Sequence, residues 1–165
     1  MLIRPARPED ADAIWSIIGP VIKAGETYAL ARDMSRSQAL AYWMGADKDV
    51  FVVEENGATE EVLGTYYMRP NQPHHSGGEH VCNCGFMVSA QAGGRGLGRA
   101  MCAHALTHAR ARGYKAMQFN FVVSTNVHAI RLWEAHGFET VGRLPRAFMH
   151  PLKGYVDALV MYQEL

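Results

Sequence analysis

Hydrophobic and polar positions alternate along several short stretches of the chain and recur every three to four residues along others. The alternating or briefly apolar runs predict seven strands, over residues 2–6, 49–55, 61–68, 80–88, 115–123, 138–144 and 155–165. Helical spacing, a Ser35–Gln38 capping box and glycines at 113 and 137 predict four helices, over residues 8–18, 35–44, about 97–112 and 126–136. This order of elements predicts an α/β fold, in which helices pack on a mixed sheet.

The remaining stretches have no clear period and are expected to connect these elements. Residues 23–34 predict a loop or an irregular helix, and residues 69–80 predict a long loop. A turn around Asn56 and Gly57 is expected to join the second and third strands as an antiparallel hairpin. With 165 residues, 48% of them hydrophobic, the chain is expected to form a single domain over residues 1–165.

The charge balance limits the classes of partner that the chain could attract over its whole surface. Sixteen basic and sixteen acidic side chains cancel, so nothing favours binding to nucleic acid or to an anionic membrane. No apolar run resembles a signal peptide or a membrane span, and three cysteines form no disulfide framework, so we expect a cytoplasmic protein. His104 and His108 have the i, i+4 spacing of metal ligands, but their polar helix face predicts solvated side chains and no metal site.

A glycine-rich stretch, QAGGRGLGRAM at residues 91–101, lies between the fourth predicted strand and the third predicted helix. Glycines there let the free N–H groups of a helix start meet a phosphate without an intervening Cβ, and Arg95 and Arg99 add positive charge. A nucleotide-binding P-loop would require a lysine, which this stretch lacks. A dinucleotide-binding fingerprint that begins at Gly94 would require glycine where the chain has Arg99. The stretch therefore predicts an anion site of another kind.

Two motifs resemble those of the GNAT superfamily of N-acetyltransferases. VSAQAGGRGLGRAM (88–101) resembles the Gln/Arg-x-x-Gly-x-Gly/Ala motif for acetyl-CoA, and STNVHAIRLWEAHGF (124–138) resembles Asn-x-x-Ala-Ile-x-Leu-Tyr-x-x-x-Gly-Phe. Together with the opening IRPARPEDADAI, the resemblance covers nearly the whole chain, and it is closest to the phosphinothricin and amino-acid N-acetyltransferase branch. It implies a mostly antiparallel sheet of about seven strands with a splayed parallel pair at its centre, and about four helices.

The resemblance also implies which residues bind acetyl-CoA. Counted by letters, the first motif falls on Gln91, Gly94 and Gly96. Counted from the valine at the strand end, it falls on Gly93, Gly96 and Gly98, which we prefer because Gly98 then lies in the first helical turn. The pantetheine arm is expected along the fourth strand as an added strand. The implied cofactor-binding residues are Met87, Val88, Gly93, Gly94, Arg95, Gly96, Leu97, Gly98, Arg99, Asn126 and Trp133.

The implied chemistry is direct attack of a neutral amine on the thioester, which requires a base for the amine proton. This chain departs from the family at two positions. Asn83 replaces the glutamate of phosphinothricin-type enzymes, and it cannot be a base but can orient a water that relays the proton. Trp133 replaces the usual tyrosine acid, and its indole N–H can donate a hydrogen bond but not deliver a proton. Trp133 is therefore expected to pack near the sulfur or to line the pocket, unless it is only a core aromatic.

The acceptor is expected between the loop after the first helix and the C-terminal hairpin. The residues implied to line its site are Tyr28, Arg69, Arg146, His150, Tyr155 and Asp157. Arginines would suit a carboxylate-bearing small-molecule amine such as an amino acid, whereas Glu26 or Asp157 would suit a cationic one. Two alternatives stay open: a protein or peptide acetyltransferase, and a non-catalytic acetyl-CoA-binding regulatory module. The resemblance further implies a homodimer joined through the C-terminal strands.

Overall fold

A seven-stranded sheet carries helices on both of its faces. The computed structural model describes residues 1–55 and 61–165, so the predicted turn around Asn56 and Gly57 lies outside the described residues. The strands are β1 (Leu2–Pro5), β2 (Asp49–Glu54), β3 (Val62–Pro70), β4 (Val81–Val88), β5 (Ala116–Val123), β6 (Glu139–His150) and β7 (Gly154–Glu164). The helices are α1 (Ala11–Ala24), α2 (Arg36–Trp43), α3 (Leu97–Ala111) and α4 (Val127–Ala135), with 3₁₀ turns at Pro8–Asp10 and Ala90–Ala92.

The strands follow the order β1-β2-β3-β4-β5-β7-β6, and every neighbouring pair is antiparallel except β4 and β5. The parallel pair is joined at only two positions, Val81 with Ala116 and Cys82 with Met117. Beyond these pairs β4 continues beside β3, and β5 continues beside β7, so a cleft opens between them. The predicted mixed sheet with a splayed central pair is confirmed.

Each face of the sheet has its own hydrophobic core. Helices α1 and α2 bury Ile14, Ile18 and Trp43 together with Met87 of β4. Helix α3 buries Met101 and other apolar side chains against the opposite face, where Cys82 and Cys84 of β4 also lie. The strand's alternation therefore aims successive side chains into different cores. Among the described residues, no helix is long and apolar enough to span a bilayer.

Two elements are longer than the sequence predicts, and each runs past a proline. Helix α1 continues through Pro20 to Ala24, because the buried stripe of Ile14, Ile18 and Ile22 keeps its spacing on both sides of that residue. Strand β6 continues past Pro145 to His150, which a strand at the sheet edge allows because Pro needs no ladder bond on its open side. The register shifts between Leu144 and Phe148, where Arg146 has a φ of 51°.

Candidate active site

Two neighbouring cavities lie along the part of β4 that is separated from β5. The larger, of about 670 Å³, is lined by the glycine-rich stretch and the start of α3, and we call it the glycine cavity. The smaller, of about 400 Å³, is lined by residues 27–30 of the α1–α2 loop and by β4 and β5, and we call it the loop cavity. Both cavities share a wall formed by Phe86, Val88, Asn126, Ala129 and Trp133. The two cavities are therefore adjacent.

The glycine cavity has the features of an anion site. Gly94 and Gly96 have φ values of 79° and 76°, and a Cβ added at either would meet nothing within 4 Å. Gly96 caps α3, and the first backbone bond of the helix runs from Ala100 N to Gly96 O. The N–H groups of residues 97–99 precede that bond, and such groups at a helix start are available to a bound anion.

Gly98 lies in the first turn of α3, as the preferred register requires, but its glycine has a second physical reason. A Cβ at Gly98 would lie 3.0 Å from Leu132 Cδ2, so the absent side chain allows α4 to pack closely on α3. Leu97 and Arg99 also line the glycine cavity, with Leu97 buried in the core. Arg95 lies outside both linings, and its Nη1 is 3.1 Å from Glu55 Oε2 on the surface.

Asn126 and Trp133 stand at the shared wall. The Asn126 side chain accepts a hydrogen bond from Ala129 N at 3.4 Å and so caps α4. Trp133 is buried, and its ring centroid is 5.0 Å from that of Phe86 and 4.9 Å from that of Phe119. Trp133 is therefore both a core aromatic and part of the lining of both cavities.

The loop cavity brings together three of the residues predicted for acceptor binding and catalysis, which are Tyr28, Arg69 and Asn83. Asn83 is the first β4 residue beyond the last β4–β5 pair, and its Nδ2 donates to Gln118 O at 3.0 Å. This side chain bridges the two strands at the point where they separate. Arg69 Nη1 lies 4.0 Å from Asp47 Oδ2, and within the described residues its buried Nε has no hydrogen-bond partner.

The other four residues expected around the acceptor lie on the β6–β7 hairpin, outside the linings of both cavities. His150 is buried, and its Nδ1 accepts hydrogen bonds from Leu152 N and Lys153 N, which stabilises the turn of the hairpin. Asp157 accepts from Arg146 N at 2.8 Å, and the Arg146 guanidinium lies over the exposed Tyr155 ring. Within one chain the structure does not bring these residues to the cleft.

Several cleft residues are not apparent from the motifs. Strand alternation places Phe86 on the same face as Val88, and this signal could have found it. Tyr42, Tyr67 and Asn120 come from three separate elements, and only the folded chain brings them to the loop cavity. Tyr67 packs edge-on against Trp43 with ring centroids 4.9 Å apart.

The cysteines and histidines have packing roles rather than obvious chemistry. Burial raises the pKa of the Cys102 thiol to about 12 and also raises the pKa of Cys84 well above its ordinary value, which disfavours either as an acyl-accepting thiolate. His104 Nδ1 bonds to the Tyr66 hydroxyl at 2.6 Å and His108 Nε2 bonds to Asp49 Oδ2 at 2.9 Å, so the expectation that both side chains are merely solvated is wrong. Residues 1–55 and 61–165 contain no group of three or more His, Cys, Asp or Glu side chains that could hold a metal ion.

Comparison with known proteins identifies the fold and its chemistry. The model of the acetyltransferase (GNAT) family matches residues 22–138. The chain belongs to the GNAT acetyltransferase family. This acetyltransferase is 31% identical over 153 residues to the N-acetyltransferase aca1 of Schizosaccharomyces pombe, covering 84% of this chain and 72% of that protein. It is also 40% identical to a GCN5-related N-acetyltransferase from Kribbella flavida, with a TM-score of 0.92 and coverage of 99% and 97% of the two chains.

Other solved structures share the fold at lower identity. A phosphinothricin acetyltransferase from Sinorhizobium meliloti, solved in complex with acetyl-CoA, is 18% identical with a TM-score of 0.86, over 99% of this chain and 88% of that one. A ribosomal-protein-alanine N-acetyltransferase is among the neighbours at this level, so the phosphinothricin branch is one of several. The protein is an acetyl-CoA-dependent N-acetyltransferase, and the resemblance to the superfamily is confirmed.

Proposed function

We propose that this acetyltransferase transfers the acetyl group of acetyl-CoA to the primary amine of a small molecule that carries a carboxylate, such as an amino acid. The donor's phosphates would rest on residues 93–98 and Arg99, because the glycine cavity offers open space above Gly94 and Gly96 at a helix start. The pantetheine arm would follow β4 past Met87 and Val88, with Asn126 and Trp133 on the opposite wall. The acceptor would occupy the loop cavity.

The observation that carries the acceptor class is the state of Arg69. Its Nε is buried with no hydrogen-bond partner among the described residues, and its nearest carboxylate, Asp47, lies 4.0 Å from Nη1 and 2.9 Å from Lys48 Nζ. A buried guanidinium donor without a partner is unfavourable, and a bound carboxylate would satisfy it. This arrangement favours an acidic acceptor over a polyamine.

The volume and cover of the loop cavity favour a small acceptor. A cavity of about 400 Å³ is within the range of small-molecule sites, and residues 27–30 of the α1–α2 loop form part of its wall. A protein substrate would require an open groove at this position. Peptide acetylation is therefore the second candidate, and peptides belong in the same experiment.

Proton removal is proposed to run through water held by Asn83. The side chain lines the loop cavity at the base of the cleft and cannot itself accept the amine proton at neutral pH. Its Nδ2 is engaged by Gln118 O, which fixes the plane of the amide and hence the direction of Oδ1. Thiolate leaves without proton donation from Trp133, whose indole N–H is not an acid.

A free-thiol release assay with acetyl-CoA across amino acids, polyamines and peptides tests this function. We expect turnover on one or more amino acids, and loss of activity on the amide of the same amino acid. Arg69→Gln should lower kcat/KM for the amino acid by about 10- to 100-fold, since a hydrogen bond to a charged group contributes about 1.5–3 kcal/mol. The same substitution should change kcat/KM for the amide little, because the amide has no carboxylate for Arg69 to bind.

Arg36→Gln is the matched control, because Arg36 is exposed, pairs with Asp12 and lies outside both cavities. Asn83→Ala should lower kcat more than it weakens acetyl-CoA binding. Turnover that is confined to peptides would refute the small-molecule acceptor, and an equal effect of Arg69→Gln on acid and amide would remove the carboxylate from the recognition.

Homodimerisation is a further part of the proposal. The β6–β7 hairpin exposes a set of apolar side chains, which are Val141, Leu144, Met149, Leu152 and Tyr155. A second copy that packs on this surface would bury them. Light scattering during size-exclusion chromatography should give the mass of two chains, and Met149→Glu should give the mass of one. A monomer in the unaltered protein would rule out this interface.

A further inference from the structure

The hydroxyl of Tyr28 makes an unusual contact with the central strand. Tyr28 belongs to the loop between α1 and α2, yet its hydroxyl accepts a hydrogen bond from Phe86 N at 2.8 Å and donates one to Phe86 O at 2.9 Å. Both backbone groups of one β4 residue are therefore satisfied by one side chain. This happens beyond the last β4–β5 pair, where β4 still pairs with β3 but β5 no longer pairs with it on the cleft side.

Phe86 stands where the two cavities meet. It lines both the glycine cavity and the loop cavity, and the β4 edge beside it faces the cleft. An acyl group delivered along β4 to an amine in the loop cavity must pass this residue. The carbonyl oxygen of the acetyl group requires a hydrogen-bond donor as negative charge develops on it. The N–H of Phe86 is not free for this role, because it already donates to Tyr28.

Displacement of Tyr28 from this position would be unfavourable. Its ring packs edge-on against Trp43, with centroids 6.3 Å apart, and belongs to the core under α1 and α2. Withdrawal of the side chain would break two hydrogen bonds and would leave the N–H and C=O of Phe86 without partners until a ligand bound. Burial also raises the pKa of Tyr28, so the hydroxyl keeps its proton at neutral pH and remains a donor.

We propose that the Tyr28 hydroxyl is a catalytic residue that donates a hydrogen bond to the acetyl carbonyl oxygen. Phe86 N–H keeps donating to the phenol oxygen, and the phenol proton turns from Phe86 O toward the carbonyl. A hydroxyl that accepts a hydrogen bond is a better donor for the next one. This inference rests on the proposed path of the donor arm along β4, but not on the identity of the acceptor.

The step balances without proton transfer from tyrosine. The acceptor nitrogen forms a bond to the acetyl carbon, and the charge that develops on the carbonyl oxygen is held by the Tyr28 O–H. The carbon–sulfur bond then breaks, the electron pair leaves with the thiolate, and the amine proton passes to water. Tyr28 stabilises the oxyanion throughout and is neutral at the beginning and the end.

Infrared difference spectroscopy of bound acetyl-CoA, labelled with ¹³C at the carbonyl, tests this role without any acceptor. In the unaltered protein the carbonyl stretch should lie at lower frequency than in solution. In Tyr28→Phe it should return toward the solution value, and the Kd for acetyl-CoA should change by less than about threefold. With an acceptor present, kcat should fall by about 10²- to 10³-fold, as for other lost oxyanion donors.

Tyr66→Phe is the matched control, because it also removes the hydroxyl of a tyrosine in the core, but this hydroxyl bonds to His104 outside both cavities. The carbonyl stretching frequency of acetyl-CoA bound to Tyr66→Phe should equal that of acetyl-CoA bound to the unaltered protein. An unshifted stretch in the unaltered protein would overturn the proposal, even if Tyr28→Phe could not be obtained folded. A Tyr28→Phe variant that binds acetyl-CoA at least tenfold more tightly would also overturn the proposal, because the Tyr28 hydroxyl would then oppose acetyl-CoA binding. A Tyr28-dependent shift without turnover on small amines would support this inference while refuting the proposed acceptor class.

Discussion

An added methyl group at Gly85, in the middle of β4, should clash with the side chain of Tyr67 and destabilise the protein. A Cβ there would lie 2.6 Å from Tyr67 Cε1, 2.8 Å from Cζ and 3.0 Å from the hydroxyl oxygen. The Tyr67 ring cannot easily yield, because Trp43 and Tyr42 pack against it with centroids 4.9 and 6.1 Å away. The ring also lines the loop cavity, so its displacement would alter the acceptor site.

We expect Gly85→Ala to lower the free energy of unfolding by about 2–3 kcal/mol, the upper part of the range for overpacked sites. For a chain of this size that corresponds to a melting temperature lower by about 4–12 °C. Urea unfolding followed by circular dichroism measures the free energy, and the thiol release assay measures the effect on turnover. Turnover should fall more than acetyl-CoA affinity, because the distorted ring faces the acceptor.

The same substitution made in a Tyr67→Leu variant tests whether contact with the Tyr67 ring causes the loss of stability. In Tyr67→Leu the atoms that the new methyl group would meet are absent, so adding Gly85→Ala there should be neutral or stabilising by up to about 1 kcal/mol. Gly142→Ala in β6 is the control for a strand glycine with space, since its nearest neighbour would be 3.8 Å away. A Gly85→Ala penalty that is the same in both backgrounds would refute the clash with Tyr67.

Three further predictions concern other parts of the molecule. Gly94→Ala, at a φ of 79°, should lower stability by about 1–2 kcal/mol and weaken acetyl-CoA binding, whereas Gly93→Ala, at −59°, should leave stability unchanged; equal melting temperatures would contradict this. Arg4 lowers the pKa of Asp10, so this carboxylate's contribution is complete above its unfolded-state pKa of about 3.8 and is lost as pH falls through the lower folded value. Asp10→Asn should therefore flatten the acid limb of the stability profile, and an unchanged limb would refute the link. Iodoacetamide should modify Cys84 in the native protein at least about 100-fold more slowly than a free cysteine, as mass spectrometry would show, and rapid alkylation would contradict its raised pKa.

The sequence was sufficient for the elements whose periodicity is local. In residues 1–55 and 61–165, the seven strands and four helices overlap the stretches that hydrophobic spacing, capping residues and glycine stops predict, because these signals act within a few residues of each boundary. Local signals did not predict that α1 continues past Pro20 or that β6 continues past Pro145. Whether a proline can be tolerated depends on the packing of the whole helix, or on the position of the strand in the sheet, and neither is visible locally.

The site was only partly predictable, since its two halves have different origins. The glycine cavity is lined mainly by the two motifs visible in the sequence, the glycine-rich stretch with the start of α3 and the stretch that forms α4. The loop cavity joins Arg69 and Asn83, which lie opposite each other on adjacent strands β3 and β4, to Tyr28 of the distant α1–α2 loop. Their relation depends on tertiary contacts such as the Tyr28–Phe86 bonds, for which neither spacing nor composition carries a signal.

The short pairing between β4 and β5 has a mechanical consequence. Strands β4 and β5 are linked directly by two residue pairs, by the Asn83–Gln118 bond and by a bond from Cys82 Sγ to Ala116 O. These links join a four-stranded half-sheet, β1 to β4, to a three-stranded half, β5 to β7. Amide protons along the cleft edge of β4 therefore face an opening at the centre of the sheet, where protection from exchange is normally greatest. A ligand that pairs with this edge would fasten the two halves together. Binding should thus slow hydrogen exchange in both halves, well beyond the residues that the ligand touches.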